Sequence, residues 1–213
     1  MPAYGLSHIL WLIGIAGTSA ILCFLCRGQL LSHRVVRAVL ACVLLTAEIE
    51  RALRDGLHFP DRLPLNLCNV STWTTVLALV MLWPLAVEFV YFVGFSTAAM
   101  TLLMPDMGSP WPFRFFINHA GTIVAATVLV FGGVGRIRRG AVWRSLGLLG
   151  IYAVFLGTFD WAFGTNYGYL CSKPRGVTLM NLMGPWPVYL AWTGLVALGL
   201  FWLMWIPVRR GAS

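Results

Sequence analysis

Seven apolar stretches of about 20 residues, the length that carries an α-helix across a hydrocarbon core, occupy most of this chain. They fall near residues 8–26, 34–51, 66–83, 85–104, 115–134, 142–163 and 185–207. Between them stand turn-forming groups: Trp83-Pro84, Pro105-Asp106-Met107-Gly108, Gly132-Gly133 and Gly164. The join between the third and fourth stretches is so short that they must form an antiparallel hairpin. The second ends in Ala47-Glu48-Ile49-Glu50-Arg51, an amphipathic segment expected to face other helices.

Composition leaves little room for another architecture. Of 213 residues 59% are hydrophobic and only 10% charged, against roughly 25% charged in an ordinary soluble domain. Mean hydropathy is +0.82. A soluble fold of this size has too much surface to hide so many apolar side chains. A globular cytosolic enzyme, a disordered chain and a disulfide-stapled secreted domain are therefore excluded. The expectation is an all-α, polytopic membrane helix bundle of about seven transmembrane helices. With no repeats, low-complexity tracts or linkers, residues 1–213 read as a single transmembrane domain. No cleavable signal peptide stands out, because the first stretch is long enough to span and follows no basic run.

The formal charge of +8 comes from 15 basic residues, nearly all arginine. None forms a basic face interleaved with aromatic residues, so nucleic acid is not an expected partner. Arginine in a membrane protein orients the chain instead. The segment with Arg136, Arg138, Arg139 and Arg144 is densely basic, as is Arg209-Arg210. Both fall on one side if the N-terminus lies outside and the C-terminus inside, and that topology is predicted.

In this topology chemistry-bearing residues gather at the outer helix ends, where polar groups in a membrane protein are functional candidates. The third stretch opens with Asn66, Cys68 and Asn69, and the fifth with Asn118 and His119. The sixth ends at Asp160, followed by Asn166 and Tyr167. Glu48, Glu50 and Asp106 lie at the same level. The middle of every span reads as apolar, which argues against the polar path of a small transporter or channel.

Cys68 and His119 are the predicted catalytic pair. A thiol becomes a good nucleophile when a base takes its proton, and the first turn of a helix favours the thiolate. Asp160 at matching depth could orient the imidazole as the third member of a triad, or pair with Arg114 as a structural tie. The other cysteines offer no rival site. Cys23 and Cys26 form a CxxC that closes a helix, where the dipole opposes a thiolate, and only His33 is near enough to extend it towards zinc. Cys42 reads as packing, and Cys171 as either free or paired with Cys68. Haem would need paired histidines; His8, His58 and His119 all lie outward, with no pair opposite. No metal and no cofactor are expected.

Five segments carry a resemblance to a known family: LPLNLCNVSTW (63–73), EFVYFVGFSTAAMTLLMPD (88–106), RFFINHAGTIV (114–124), DWAFGTNYGYLCSKP (160–174) and LMGPWPVYL (182–190). They resemble the YwaF-type bacterial integral-membrane proteins, relatives of transmembrane protein 164, an acyltransferase of ether phospholipids. The resemblance runs in order from about residue 48 to residue 190. It implies a cell-membrane protein, of the inner membrane if bacterial, in which a fatty acyl group passes through a thioester on the cysteine of NLCN, Cys68, with the histidine of NHAG, His119, acting beside it. Androgen-induced lipid hydrolases are similar in layout, with threonine as nucleophile.

The function expected is thus phospholipid acyl transfer or transacylation from the non-cytoplasmic side. Phospholipid, lysophospholipid or fatty acyl groups are the expected substrates. Asn66, Asn69 and Asn118 are candidate oxyanion donors and, with Asn166 and Tyr167, substrate-binding residues. Phe89, Phe92 and Phe95 are expected to line the acyl chain. The alternatives are a lipid hydrolase using the same pair, a small transporter or channel, and a structural or assembly protein.

Overall fold

The computed structural model describes residues 5–103, 112–174 and 179–211, with side chains described over 5–103, 115–174 and 180–211. Those residues form seven long helices with no strand among them. They are α1 (Leu6–Arg27), α2 (His33–Asp55), α3 (Leu67–Met81), α4 (Pro84–Leu103), α5 (Pro112–Phe131), α6 (Ala141–Phe163) and α7 (Val188–Val208). Within α4, Val90–Gly94 widen into a π-turn. Asp106 lies outside the described residues, as does the side chain of Arg114.

The helices run alternately up and down, as the predicted hairpins require. Among the described residues four helices, α1, α4, α6 and α7, are long and apolar enough to cross a membrane, against the seven spans expected, whereas α3 and the Phe115–Phe131 part of α5 are apolar but shorter. α2 is amphipathic: Val36, Ala41, Leu44 and Glu48 make up its buried stripe. The stops follow backbone rules. Leu82 adopts the left-handed conformation at the end of α3, and Pro84 then opens α4. Gly140 and Gly164, both with positive φ, bracket α6.

α5 is the central helix, packing on α1, α2, α3 and α4, while α6 lies on α4 with α7 outside it. The core joins Leu44, Leu79, Val87, Val90, Ala125 and Leu129. In lipid the apolar drive between helices is weak, so close approach depends on small residues. A Cβ on Gly121 would lie 2.7 Å from Leu44 Cδ2, so glycine there lets α2 seat against α5. A Cβ on Gly94 would lie 3.4 Å from Thr122 Cγ2 and 3.7 Å from Ser71 Cβ, so α3 and α5 meet across α4 at that point.

That contact corrects the expectation of an apolar middle in every span. Ser71, Thr72, Thr75 and Thr122 are buried there. The three threonines donate to carbonyls one turn back in their own helices, Thr72 to Cys68, Thr75 to Ser71 and Thr122 to Asn118. Their hydrogens are thereby satisfied without opening a polar path.

The opposite end of the bundle holds a second surprise. Glu88, fully buried one turn into α4, accepts five hydrogen bonds from Arg138 and Arg144 at 2.8–3.1 Å, including the Arg138 backbone N–H. The basic cluster read only as a topology signal is thus also a clasp holding the 132–140 loop to α4. Arg37 closes the same end by donating to the carbonyls of Leu79 and Val80 at the end of α3.

Candidate functional site

Glu48 organises the polar end. It continues the buried stripe of α2 one turn beyond Leu44, so its carboxylate enters the bundle, only 1% exposed. Oε2 takes both Nε and Nη2 of Arg51, at 3.1 and 3.0 Å. Oε1 takes Nδ2 of Asn118 at 3.0 Å and Nδ2 of Asn69 at 3.5 Å. A buried carboxylate needs such partners. Here they tie α2, α3 and α5 together at one point, and each asparagine is the chain neighbour of a predicted catalytic residue.

Cys68 and His119 also stand at one level of the bundle. Residues three apart lie on one side of a helix. Ser71 and Thr122 meet across Gly94, so Cys68 and His119, three residues earlier in two parallel helices, lie one turn above that contact at matching depth. The half-buried Cys68 sulfur sits 3.8 Å from Thr101 Oγ1. Thr101 donates its own hydrogen to the Thr97 carbonyl at 2.8 Å, which leaves its oxygen to accept from the thiol.

The imidazole is fixed by its own helix. His119 Nδ1 lies 2.7 Å from the Phe115 carbonyl, which can only accept, so Nδ1 carries the proton. The Phe115 ring packs on the imidazole, with centroids 4.6 Å apart. Nε2 is then an unprotonated lone pair, and it is buried with no hydrogen-bond partner, the Cys68 thiol included.

Asp160 does not bond His119. Oδ1 of this carboxylate, 1% exposed, accepts Thr165 Oγ1 at 2.6 Å and the Tyr167 N–H at 2.9 Å, while Oδ2 is buried without a partner. The physical reason is local: acceptors five and seven residues before free donors win over an imidazole on another helix. Asn166 is a loop residue of the same kind, with Oδ1 accepting from the N–H groups of Cys171 and Ser172 and Nδ2 donating back to Ser172. Tyr167 reaches further. Its hydroxyl donates to the Pro60 carbonyl at 2.7 Å and accepts the Leu63 N–H at 2.8 Å. Asp160→Ala should therefore loosen the 164–167 loop and cost about 1–3 kcal/mol, the loss of two buried bonds. A thermal melt in detergent micelles checks this, with the Tyr167 contact to Pro60 the first to be lost.

The remaining candidates have other partners. His8 contacts the Leu102 carbonyl and His33 the Cys26 carbonyl, while Cys23 donates to the Thr127 carbonyl. All five cysteines are free thiols, so Cys171 is not bonded to Cys68. Glu50 is an exposed partner of Arg54. Phe92 packs on Tyr91 and Phe201, and Phe89 is buried in the same core, so these two rings fill the bundle and do not line an open groove. Sequence reasoning missed Thr101 and gave Glu48 only a level. The signal for Glu48 was its helical register with Leu44.

The sequence model of the TMEM164 family matches residues 3–205, nearly the whole chain. No curated protein and no solved structure matches the sequence. With all five distinctive segments inside the matched range, the chain belongs to the TMEM164 family.

Proposed function

We propose that this membrane-embedded protein is a phospholipid acyltransferase or transacylase, with Cys68 carrying the acyl group as a thioester and His119 serving as its base. The observation that supports this reading best is the state of His119. A general base needs an unprotonated nitrogen, a fixed ring and a proton donor within reach. Nδ1 is held by Phe115 and Nε2 has no hydrogen-bond partner, and the chain neighbours of Cys68 and His119, Asn69 and Asn118, bond the same Glu48 carboxylate.

In this scheme Nε2 takes the Cys68 proton as sulfur attacks the carbonyl carbon of a phospholipid ester. The tetrahedral intermediate collapses, the C–O bond breaks, and the imidazolium returns its proton to the departing lysolipid oxygen. The hydroxyl of an acceptor lysophospholipid then gives its proton to Nε2 and attacks the thioester, releasing the thiolate, which recovers the proton. Water in the acceptor's place would make the enzyme a hydrolase. Glu48 holds one amide hydrogen of Asn69 and one of Asn118. Asn66, exposed at the start of α3 with no side-chain cap bond, is the oxyanion donor left free. The phenyl-packed Nδ1 contact, and not Asp160, does the orienting.

With the Arg138–Arg144 clasp on the cytoplasmic side, as the positive-inside rule directs, the site opens on the non-cytoplasmic face of the cell membrane. The test is a label transfer in reconstituted vesicles. A phospholipid with a labelled acyl chain and an unlabelled lysophospholipid are supplied together. Label appearing on the acceptor is the expected result. Label released only as free fatty acid would reassign the activity to hydrolysis, and no movement of label by folded protein would overturn the proposal.

A further inference from the structure

The positive charge of this chain is concentrated at one end of the bundle. Glu48, Glu50, Asp55, Asp61 and Asp160 stand at the end that holds Cys68, where Arg51 and Arg54 answer two of them. At the other end Glu88 is the one carboxylate among the described residues, and Arg138 and Arg144 already occupy it. Arg136, Arg139, Arg209 and Arg210 are exposed there and meet no carboxylate among the described residues. These guanidiniums are unmatched.

Orientation in a membrane asks only that such charges share a side. The fold goes further and brings two groups distant in sequence to one level. The Tyr91 hydroxyl donates to the Met204 carbonyl at 2.9 Å, between antiparallel α4 and α7. One turn from that bond towards the basic end lie Glu88 and Val208. Arg209 and Arg210 therefore leave the bundle at the level of the clasp. Glu88 holds Arg138 there, between Arg136 and Arg139, and Arg144 donates to the Arg139 carbonyl at 2.9 Å. The gathered cations repel one another, and an anion between them relieves that repulsion.

Two tryptophans lie below these charges. Trp143 on α6 and Trp202 on α7 meet edge to face with ring centroids 6.2 Å apart, yet both stay exposed on the outside of the bundle. Trp202, Ile206 and Arg209 follow at spacings of four and three residues, so they share one face of α7. Trp143 stands one turn beyond Arg139. Guanidinium, indole and aliphatic side chain in that order match the phosphate, ester region and chains of a lipid. We propose that this end of α6 and α7 binds an anionic phospholipid of the adjoining leaflet. Its phosphate lies among Arg136, Arg139, Arg209 and Arg210, and its chains lie beside Trp143 and Trp202. Guanidinium forks suit phosphate oxygens. Four of them suit two phosphodiesters better than one, so diphosphatidylglycerol should bind more tightly than phosphatidylglycerol. This lipid is a bound companion and not a substrate, because it sits at the end opposite Cys68.

The test measures lipid binding to the full-length protein in neutral detergent micelles by native mass spectrometry. The probes are diphosphatidylglycerol, phosphatidylglycerol and phosphatidylcholine, with inorganic phosphate as competitor. Binding should fall in that order of lipids. Arg139→Gln with Arg209→Gln should weaken diphosphatidylglycerol tenfold or more. Arg27→Gln with Arg34→Gln removes the same charge from the same end, on the α1 and α2 side, and should change it less than twofold. Equal loss from both pairs overturns the proposal, because the attraction is then a diffuse property of the orienting charges. Unchanged binding by the first pair overturns it too, as does equal binding of phosphatidylcholine. Full displacement by millimolar inorganic phosphate would reassign the cluster to a free anion. Arg209→Gln with Arg210→Gln, outside the clasp loop, gives the same reading should the first pair fail to fold.

Discussion

His119→Gln is expected to lower acyl transfer by about 10²–10⁴-fold, the usual contribution of a positioned general base, and Cys68→Ala to abolish it. Glutamine can keep the contact with the Phe115 carbonyl but offers no lone pair of comparable basicity at the Nε2 position. The loss should fall on the rate of transfer at saturating lipid, because neither residue is asked to bind the head group. Vesicle label transfer with both variants, normalised to folded protein by thermal melting, measures it. Full activity in folded His119→Gln protein would remove the base from the scheme.

The largest effect on stability is expected at the other end of the bundle. Glu88→Gln leaves Arg138 and Arg144 around a neutral amide, with four side-chain bonds to a charge replaced by at most two acceptor contacts at one oxygen. Breaking a buried ion pair from one side costs about 3–5 kcal/mol. The two arginine side chains are 41% and 34% exposed and can turn to water, which puts the expected loss near the lower end, about 3 kcal/mol. Arg144→Met should be comparable, because it leaves a fully buried carboxylate with one guanidinium. Equilibrium unfolding in mixed micelles checks both. The effect should appear without any change in the activity of the protein that remains folded, since the clasp lies about 20 Å from Cys68, the length of α4 between Glu88 and Thr101.

What the sequence makes legible follows from the range of the interactions. Helix number and direction depend on apolar runs and on Gly and Pro, which act locally, so the seven helices lie close to where hydropathy puts them. The shared depth of Cys68, Asn69, Asn118 and His119 is also legible, because depth is set by distance along each helix. Partner choice is not. Glu48 meets Asn118, 70 positions away, only because Gly121 lets α2 and α5 approach. Glu88 stood as a lone acid in an apolar stretch, the signal of a buried partner, and the arginines that satisfy it lie 50 and 56 residues later. Asp160 errs in the opposite direction. Depth alone pairs it with His119, whereas the donors of its own loop are nearer in sequence and take the carboxylate first.

The central claim is that an acyl group resides on Cys68. Purified protein incubated with phospholipid in the absence of a lysolipid acceptor should accumulate a species heavier by one fatty acid less water, measured by intact mass. Peptide mapping should place the addition on Cys68, neutral hydroxylamine should remove it, and added lysophospholipid should discharge it into product. An adduct on another residue, or acyl transfer that proceeds undiminished in Cys68→Ala protein, would contradict the account.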